Sequence, residues 1–246
     1  MSRYDFQAPR LFVESDLAPG TLVACRADQV NYLRNVLRLR PGEAMLIFNG
    51  RDGEWRARIG EARKSAMTLR AEEQVRAQQT APDLDYLFAP LKRARLDYMV
   101  QKATELGVAR LRPVFTRRTT PERINAGRMR ANAIEAAEQC GILSVPEVME
   151  AETLERTIAR WDRQRALIFC DENCDEPGPL AALQRVAPGP LALLIGPEGG
   201  FEEGERELIT SQPFAVRIAL GPRILRADTA AVAALALVNA VLGDWR

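Results

Sequence analysis

A glycine-rich turn at Leu194–Glu202 is the first segment of this sequence whose residue types could bind a ligand. It follows a run of apolar residues and precedes an acidic helix start. Glycines let backbone amides approach a ligand closely, and the first turn of a helix offers free N–H groups. The turn matches neither GxGxxG nor a Walker loop, because no Gly-Lys-Ser/Thr follows it. Taken alone, it is as consistent with a structural turn as with a binding site.

A second loop, Leu220–Thr229, also runs from an apolar segment into a helix. The glycines that begin the two loops are 25 residues apart, about the length of one helix plus one strand. Loops on neighbouring strands of an open α/β sheet meet at the carboxyl edge, where ligands bind. Arg223 and Arg226 lie three residues apart in this loop, beside a candidate helix cap. The alternative to contact with a ligand is that they face solvent or pair with Asp228.

The 246 residues contain no histidine, and this excludes several classes of enzyme. Ser-His-Asp and Cys-His catalysis cannot operate within the chain, and neither can metal hydrolysis that depends on histidine. Any proton transfer must use Asp, Glu, Lys, Tyr, a thiol or water. The four cysteines form no CxxC pair, so we expect no metal site and simple buried thiols in a reducing compartment. They are Cys25, Cys140, Cys170 and Cys174.

Positive charge is concentrated in one segment, although the whole chain carries a net charge of only +1. Residues 92–130 contain 11 Lys and Arg against 3 Asp and Glu, whereas residues 131–246 contain 10 against 18. Such a basic segment suits the phosphate backbone of a nucleic acid. The alternative is a solvated charged face without a partner.

The sequence carries no pattern that predicts export or a membrane span. Met1–Arg10 is polar and lacks the apolar core of a signal peptide. The longest apolar run, Ala230–Leu242, is shorter than the roughly 20 residues that cross a bilayer, so we interpret it as a buried helix. We therefore expect a soluble, cytoplasmic protein.

Residues 1–75 have the pattern of a small β-rich domain. Short runs of strand-forming residues are separated by Pro-Gly, Asn-Gly and Asp-Gly turns. One short helix interrupts them, with Asp28 as its candidate cap. The pattern predicts a small barrel, and the polar stretch Glu72–Asp83 is the predicted linker. The predicted strands are Arg10–Glu14, Thr21–Arg26, Ala44–Asn49, Glu54–Ile59 and Met67–Arg70.

Residues 76–246 change to an alternation of strands and helices. Continuous apolar runs such as Leu191–Ile195 are typical of buried parallel strands, and Gly107 is placed to end a helix. The alternation predicts an α/β sheet with helices on both faces. The predicted strands are Leu84–Leu91, Arg110–Thr116, Ala166–Cys170, Leu191–Ile195 and Val216–Leu220, and the predicted helices are Arg93–Leu106, Asn125–Gln139 and Thr229–Leu242.

The two loops together resemble the 16S rRNA (uracil-N3)-methyltransferase family of the SPOUT superfamily. The first contributes IGPEGGF at Ile195–Phe201 and the second LGPRILRADTA at Leu220–Ala230. Four further segments are similar to family motifs, in the expected order along nearly the whole chain. They are Val36–Gly42, Phe48–Gly50, Lys102–Gly107 (KATELG) and Ala136–Gly141 (AAEQCG).

Three positions depart from the family pattern. Asn31 stands where relatives often have histidine, a change that bears on RNA contact. Asp228 replaces a glutamate and is shorter by one methylene group. Ile142 stands where a basic residue is common, which weakens the case for a basic RNA contact at that helix end.

The resemblance implies a two-domain fold for the chain. Residues 1–75 would form a PUA-like or OB-like β-barrel that binds RNA, and residues 76–246 an α/β methyltransferase domain with a deep trefoil knot. Members of the family are homodimers that use S-adenosylmethionine (SAM), with the SAM pocket near the dimer interface. Leu220, Ile224 and Leu225 would pack on the adenine ring. The implied cofactor-binding residues are Glu172, Ile195, Gly196, Pro197, Glu198, Gly199, Gly200, Leu220, Gly221, Ile224, Leu225 and Thr229.

The resemblance also implies the reaction, methylation of N3 of a uridine in 16S rRNA. Because N3 must lose its proton, the uracil develops negative charge, and an arginine aimed at O2 or O4 would stabilise it. Arg226 is our first candidate for this arginine and Arg223 the second. Glu138 is the candidate general base, and the competing interpretation is that it caps backbone at a helix end.

The N-terminal domain and the basic segment would hold the RNA. Contacts with phosphates position a nucleic acid without reading its sequence. The substrate is either free 16S rRNA or the assembled small ribosomal subunit. The candidate phosphate contacts are Lys92, Arg93, Arg95, Arg117 and Arg118 in the basic segment and Arg10 and Arg34 in the N-terminal domain.

Three alternatives remain open from the sequence. One is another SPOUT enzyme that methylates the ribose 2′-oxygen, which the cofactor loops alone do not exclude. A second is a non-catalytic RNA-binding protein, against which the two intact loops argue. A third is a nicotinamide-dependent oxidoreductase, which is disfavoured because GxGxxG does not follow the first strand of the α/β domain.

Overall fold

The computed structural model describes residues 8–63, 66–119, 124–174 and 178–245 and divides the chain into two compact units. The N-terminal unit contains Met1–Thr80 together with Ala137–Val145. The C-terminal unit contains Ala81–Ala136 and Pro146–Arg246. Most of the polar start of the chain, and residues 120–123 of the basic segment, lie outside the described residues.

The N-terminal unit is built on a five-stranded sheet with the strand order β1-β3-β4-β5-β2. β1 and β3 are parallel, and the other neighbouring strands are antiparallel. Shifts of register between β4 and β5 mark irregularities of the bulge type, which bend strands and increase their twist. The strands are β1 (Arg10–Phe12), β2 (Leu22–Ala24), β3 (Ala44–Phe48), β4 (Glu54–Arg63) and β5 (Ala66–Arg76), and helix α1 (Ala27–Asn31) continues into a π-helical turn at Tyr32–Val36.

The core of the N-terminal unit follows from alternation along its strands. On β5, Met67, Leu69 and Ala71 are buried while Arg70 between them is exposed, as the two-residue period of a strand requires. Leu33 of the π-helical turn is also fully buried against this core. Each large apolar side chain buried in this way contributes about 1.5–3 kcal/mol relative to exposure.

The C-terminal unit contains a seven-stranded sheet with the main order β12-β10-β11-β6-β7-β8, and β9 pairs with β7. All of its described strand pairs are parallel. Every residue of β6 and β11 is buried, as expected of strands covered on both faces. The strands are β6 (Leu84–Phe88), β7 (Arg110–Phe115), β8 (Glu147–Val148), β9 (Glu152–Thr153), β10 (Ala166–Cys170), β11 (Leu191–Ile195) and β12 (Ala215–Ile218).

Six helices connect and cover these strands in the described part of the chain. The last of them is rich in alanine, and its buried positions Ala230, Ala234 and Val238 recur every four residues, which places them on one face. That helix packs against α2. The helices are α2 (Arg93–Glu105), α3 (Ala126–Cys140), α4 (Leu154–Ala159), α5 (Pro179–Leu183), α6 (Glu203–Thr210) and α7 (Ala227–Val241).

The predicted α/β fold is confirmed, and the longer predicted elements are present. α2 ends at Glu105, one residue before the predicted end, and its C-cap Leu106 is followed by Gly107 in the left-handed region (φ +76°), as the sequence predicted. The short elements β8, β9, α4 and α5 were not predicted, because runs of two to six residues carry too little periodicity to recognise. The trefoil knot stays a prediction.

Two features are absent from the described residues. None of the helices there has both the length and the apolar character needed to cross a membrane. Nor do those residues include a group of three or more His, Cys, Asp or Glu side chains arranged to hold a metal ion.

Candidate functional site

Three loops at the carboxyl ends of the neighbouring strands β11, β10 and β12 line one cavity of the C-terminal unit. Its volume is about 650 Å³, within the range of roughly 300–1,000 Å³ that is typical of ligand pockets. The glycine loop (Gly196–Gly200) follows β11, the arginine loop (Leu220–Arg226) follows β12, and Asp171–Cys174 follows β10. The two loops that were identified from the sequence therefore line the same cavity.

Eleven of the twelve predicted cofactor-binding residues line this cavity. The exception is Thr229, which lies in the first turn of α7, whereas Ala227 and Ala230 of the same helix do line it. The eleven are Glu172, Ile195, Gly196, Pro197, Glu198, Gly199, Gly200, Leu220, Gly221, Ile224 and Leu225.

Packing beneath the glycine loop explains why its first residue has no side chain. A Cβ atom on Gly196 would lie 2.3 Å from Cε2 of Phe201. Phe201 is buried and packs edge to face on Phe169, with ring centroids 5.0 Å apart. Gly200, which ends the loop, has φ +70°, and a Cβ there would lie 2.7 Å from Oε1 of Glu172. The backbone of the loop is therefore closely fitted to its surroundings.

Replacing Gly196 by alanine is expected to weaken binding of the cavity's ligand about ten- to hundredfold. The added methyl group must displace either the loop or the Phe201 ring, and overpacking of this kind costs about 1–3 kcal/mol. Gly204 of α6 is the matched control, since a Cβ there meets no atom within 4 Å. Calorimetric titration of both variants with SAM checks the prediction, and equal affinities for Gly196→Ala and Gly204→Ala would contradict it.

A buried carboxylate that the sequence reasoning missed fixes the wall of the cavity after β10. Asp171 is 1% exposed and accepts hydrogen bonds from Arg217 of β12, at 2.7 Å from Nη2 and 3.1 Å from Nε. Its other oxygen lies 3.2 Å from Nε of Arg206 on α6. Arg206 also pairs with Glu172. The only signal in the sequence was that Asp171 directly follows the predicted strand Ala166–Cys170.

The cavity wall also contains a cysteine thiol that cannot act as a nucleophile at neutral pH. Desolvation raises the pKa of Cys170 far above its usual range, and the neighbouring charge of Asp171 adds to the increase. Because only the thiolate is strongly nucleophilic, the thiol stays inert. Cys25 in the N-terminal unit behaves similarly, since desolvation raises its pKa to about 11.

The lining combines apolar side chains with backbone polar groups, which is the pattern of pockets for flat organic ligands. Ile195 is buried at the base, and Leu220 and Leu225 are partly buried. Ile224 also lines the cavity but is 91% exposed, which is unusual for so large an apolar side chain. An aromatic ring seated in the cavity would cover this side chain, as the prediction of an adenine contact requires.

The two candidate catalytic arginines are both exposed at the end of the arginine loop. Arg223 lines the cavity, and Arg226 is the N-cap residue of α7, between the lining residues Leu225 and Ala227. Among the described residues, neither guanidinium has a hydrogen bond or an ion pair. Asp228 instead accepts a hydrogen bond from the Thr229 amide at 2.8 Å. The alternative that the arginines pair with Asp228 is therefore not observed, whereas exposure to solvent is.

The prediction that Arg10 contacts RNA phosphates is wrong, because its side chain is not available to them. It is 7% exposed, and its Nε lies 2.6 Å from Oε1 of the buried Glu54. Its Nη1 donates to the carbonyl oxygens of Ala137 and Glu138 at 2.7 and 3.0 Å. Charge counts along a sequence cannot distinguish such a buried arginine from an exposed one.

The other predicted phosphate contacts fall into two groups. Arg34, Lys92 and Arg93 are exposed. The side chains of the second group form ion pairs or hydrogen bonds within the C-terminal unit. Arg95 pairs with Glu198, Arg117 lies 3.0 Å from Glu155, and Arg118 donates to the Gly199 carbonyl oxygen at 2.8 Å.

Glu138 caps backbone in the N-terminal unit, as the competing interpretation of this residue held. Its Oε1 accepts a hydrogen bond from the Phe12 amide at 2.8 Å. The side chain belongs to the last turn of α3, and the segment Ala137–Val145, which begins in that turn, is grouped with the N-terminal unit. A catalytic role for Glu138 stays a prediction.

Comparison with known proteins decides the family. A family model described as an RNA methyltransferase domain matches residues 78–239, which is most of the chain. A second model, described as an RNA methyltransferase PUA domain, matches residues 26–72. The chain belongs to the RNA methyltransferase family. The resemblance noted in the sequence is thereby confirmed.

Relatives of known name and structure agree with this assignment. The chain is 31% identical to ribosomal RNA small subunit methyltransferase E of Rickettsia conorii, over 94% of each chain. It is 32% identical to the protein of the same name from Synechocystis, over 96% of this chain and 78% of the relative. A methyltransferase from Legionella pneumophila solved with bound SAM superimposes with a TM-score of 0.85 at 28% identity, covering 95% of this chain and 98% of that one. The ribosomal RNA small subunit methyltransferase E of Neisseria gonorrhoeae, solved with bound SAM, superimposes with a TM-score of 0.84 at 26% identity. The match covers 98% of this chain and 100% of that one.

Proposed function

We propose that this chain transfers the methyl group of SAM to N3 of a uridine in 16S rRNA. The observation that carries the proposal is the single cavity formed by the glycine loop, the arginine loop and Asp171–Cys174. Membership of the RNA methyltransferase family, and two similar structures that were solved with SAM, support it. The proposal includes a SAM-dependent enzyme, an RNA substrate and no metal.

The residues of the cavity fit an adenosyl group. Apolar surface is provided by Ile195, Leu220 and Leu225. The exposed side chain of Ile224 would become buried when a ring lies against it. The backbone of the glycine loop is held close to its neighbours and offers amide and carbonyl groups to the polar edge of the ring. When bound, SAM supplies an electrophilic methyl group on a sulfonium centre.

The residues at the end of the arginine loop would favour the transfer by electrostatics. Holding the uracil in line with the methyl group supplies much of the rate enhancement. As the N3 proton leaves, negative charge spreads to O2 and O4, and an exposed guanidinium without a protein partner is free to pair with it. Arg226 takes this role in our proposal, with Arg223 as the second candidate.

The proposal extends to the partners of the enzyme. The chain would work in the cytoplasm as a homodimer, with residues 1–75 forming the RNA-binding domain and residues 76–246 the methyltransferase domain. The predicted phosphate contacts other than the buried Arg10 remain candidates, and they are Arg34, Lys92, Arg93, Arg95, Arg117 and Arg118. The substrate would be either free 16S rRNA or the assembled small ribosomal subunit.

Mapping of the methylated product tests the proposed function. The purified chain is incubated with labelled SAM and either unmodified small subunits or free 16S rRNA, and the digested nucleosides are analysed by mass spectrometry. We expect 3-methyluridine at one site in at least one of the two substrates. Methylation of a ribose 2′-oxygen would instead identify the alternative SPOUT enzyme, and SAM binding without transfer to either substrate would contradict the proposal.

Replacing Glu138 by glutamine distinguishes its two roles. Glutamine keeps an acceptor oxygen for the Phe12 amide, which Glu138 binds at 2.8 Å, but it cannot accept a proton. If Glu138 is the general base, kcat falls at least about a hundredfold and loses its dependence on pH on the acidic side. If it serves only as a cap, activity stays within about twofold of the unmodified enzyme from pH 6 to 9. Because the carboxylate accepts a hydrogen bond from the Phe12 amide, we expect the second result.

A further inference from the structure

The glycine loop is held from outside the cavity by an arginine of the basic segment. Nη1 of Arg118 donates a hydrogen bond to the carbonyl oxygen of Gly199 at 2.8 Å. The side chain also lies against the loop, since a Cβ on Gly199 would be 3.5 Å from Cδ and 3.6 Å from Cβ of Arg118. The arginine therefore supports the loop by a charge-assisted hydrogen bond and by van der Waals contact.

The turn that carries Arg118 is itself firmly fixed. The Thr116 amide donates to Oγ1 of Thr119 at 3.0 Å, and the Thr119 amide returns a bond to the Thr116 carbonyl oxygen at 3.1 Å. The two threonine hydroxyl groups are buried and 2.8 Å apart. Arg118 thus extends from a hydrogen-bonded turn at the carboxyl end of β7, which defines where its backbone lies.

A buried carboxylate joins this turn to the residues that follow the glycine loop. Glu205 of α6 is 5% exposed. Its Oε1 accepts from the Arg117 amide at 2.9 Å, and its Oε2 accepts from the Glu202 amide at 2.9 Å. The turn and Glu202, two residues after the loop, are therefore bonded to the same side chain, which limits how far Arg118 can move relative to the loop.

A second arginine of the basic segment meets the same loop. Arg95 of α2 pairs with Glu198, whose side chain is about half exposed. Two of the five basic-segment side chains predicted to contact phosphates thus also contact the wall of the cavity. Of these two arginines, Arg118 has the more extensive contact with the glycine loop, because it bonds to the loop backbone and also packs on it.

We propose that Arg118 is a positioning residue for the cofactor, which holds the Gly196–Gly200 backbone in the conformation that binds SAM. The inference deepens the proposed function and rests on it only in taking SAM as the ligand. Without the guanidinium, the Gly199 carbonyl loses its charged donor and the loop samples other conformations. SAM then binds more weakly, because part of its binding free energy must order the loop.

Calorimetry with SAM in the absence of RNA tests the proposal. For Arg118→Ala we expect the Kd for SAM to rise about tenfold, the factor that a charge-assisted hydrogen bond of ordinary strength supplies. Arg118→Lys keeps a charged donor and should recover part of the loss. The matched control is Arg163→Ala, which removes the same charge at an exposed position before the amino end of β10, away from the cavity. In steady-state assays the KM for SAM should rise in Arg118→Ala while kcat at saturating SAM stays within about twofold.

Hydrogen exchange provides a readout that does not depend on SAM or on activity. Amides of the glycine loop should exchange faster in ligand-free Arg118→Ala than in the unmodified protein or in Arg163→Ala. Unchanged exchange together with an unchanged Kd would overturn the proposal, as would equal weakening by Arg163→Ala, which indicates a general effect of charge. If the unmodified protein does not bind SAM, the proposed function fails, and the exchange rates still decide whether Arg118 holds the loop.

Discussion

Replacing Arg226 by alanine is expected to lower kcat at least about a hundredfold while the Kd for SAM stays within about twofold. Removing one donor that stabilises developing negative charge costs a factor of about 100–1,000 in well-studied enzymes. Arg226 is exposed at the start of α7, between two residues that line the cavity, and among the described residues no acidic group is paired with it. Its guanidinium is therefore available to an anionic uracil but is not needed to build the cavity.

Two further variants make the prediction specific. Arg226→Lys keeps the charge but loses the planar fork of donors, so it should restore only part of the rate. Arg223→Ala removes the second candidate and should reduce kcat less than Arg226→Ala does. Single-turnover methyl transfer with saturating SAM and RNA gives the rate, and calorimetry gives the affinity. A rate for Arg226→Ala within about threefold of the unmodified enzyme would exclude Arg226 from the reaction.

Replacing Glu54 by alanine is expected to lower the free energy of unfolding of the N-terminal unit by about 3–5 kcal/mol, the range for breaking a buried ion pair. The Glu54 side chain is 1% exposed and lies between two arginines, at 2.6 Å from Nε of Arg10 and 2.7 Å from Nε of Arg76. Arg10 is itself buried, so the substitution removes a carboxylate that lies 2.6 Å from a buried charge. Burying a charge without its partner costs far more than the pair contributes when it is intact.

The effect should be much larger than that of a surface pair on the same sheet. Glu73 of β5 pairs with Arg56 at 2.6 Å, but both side chains are about half exposed. Glu73→Ala should therefore change stability little. Urea denaturation followed by tryptophan fluorescence measures both variants, since Trp55 is buried in the core of the N-terminal unit. Equal midpoints for Glu54→Ala and Glu73→Ala would show that the buried pair contributes no specific stability.

Local sequence patterns were sufficient to predict the loops of the site and the strands that place them. Continuous apolar runs at Leu191–Ile195 and Ala166–Cys170 marked β11 and β10, and glycines marked the turns that follow. The spacing of the two loops predicted adjacent strands, which is wrong because β10 lies between β11 and β12. Both loops nevertheless lie at one sheet edge, since parallel strands of a sheet direct their carboxyl ends the same way. The shared cavity follows from these short-range signals.

Pairing between distant residues could not be predicted in the same way. Asp171 meets Arg206 and Arg217, which are 35 and 46 residues further along the chain. The sequence also gave no means to separate Arg118, which supports the glycine loop, from Lys92, which is exposed. A charge count treats these side chains alike, whereas their partners are decided by how strands and helices pack.

The grouping of Ala137–Val145 with the N-terminal unit means that no single cut separates the two units into complete pieces. Arg10 donates to the Ala137 and Glu138 carbonyl oxygens, and Arg76 donates to that of Gly141 at 2.8 Å. A fragment ending at residue 80 would lack these acceptors and would expose two arginines that the intact chain satisfies. Transfer of the N-terminal unit to another protein must therefore carry the end of α3 along with the first eighty residues, as a matched pair of segments.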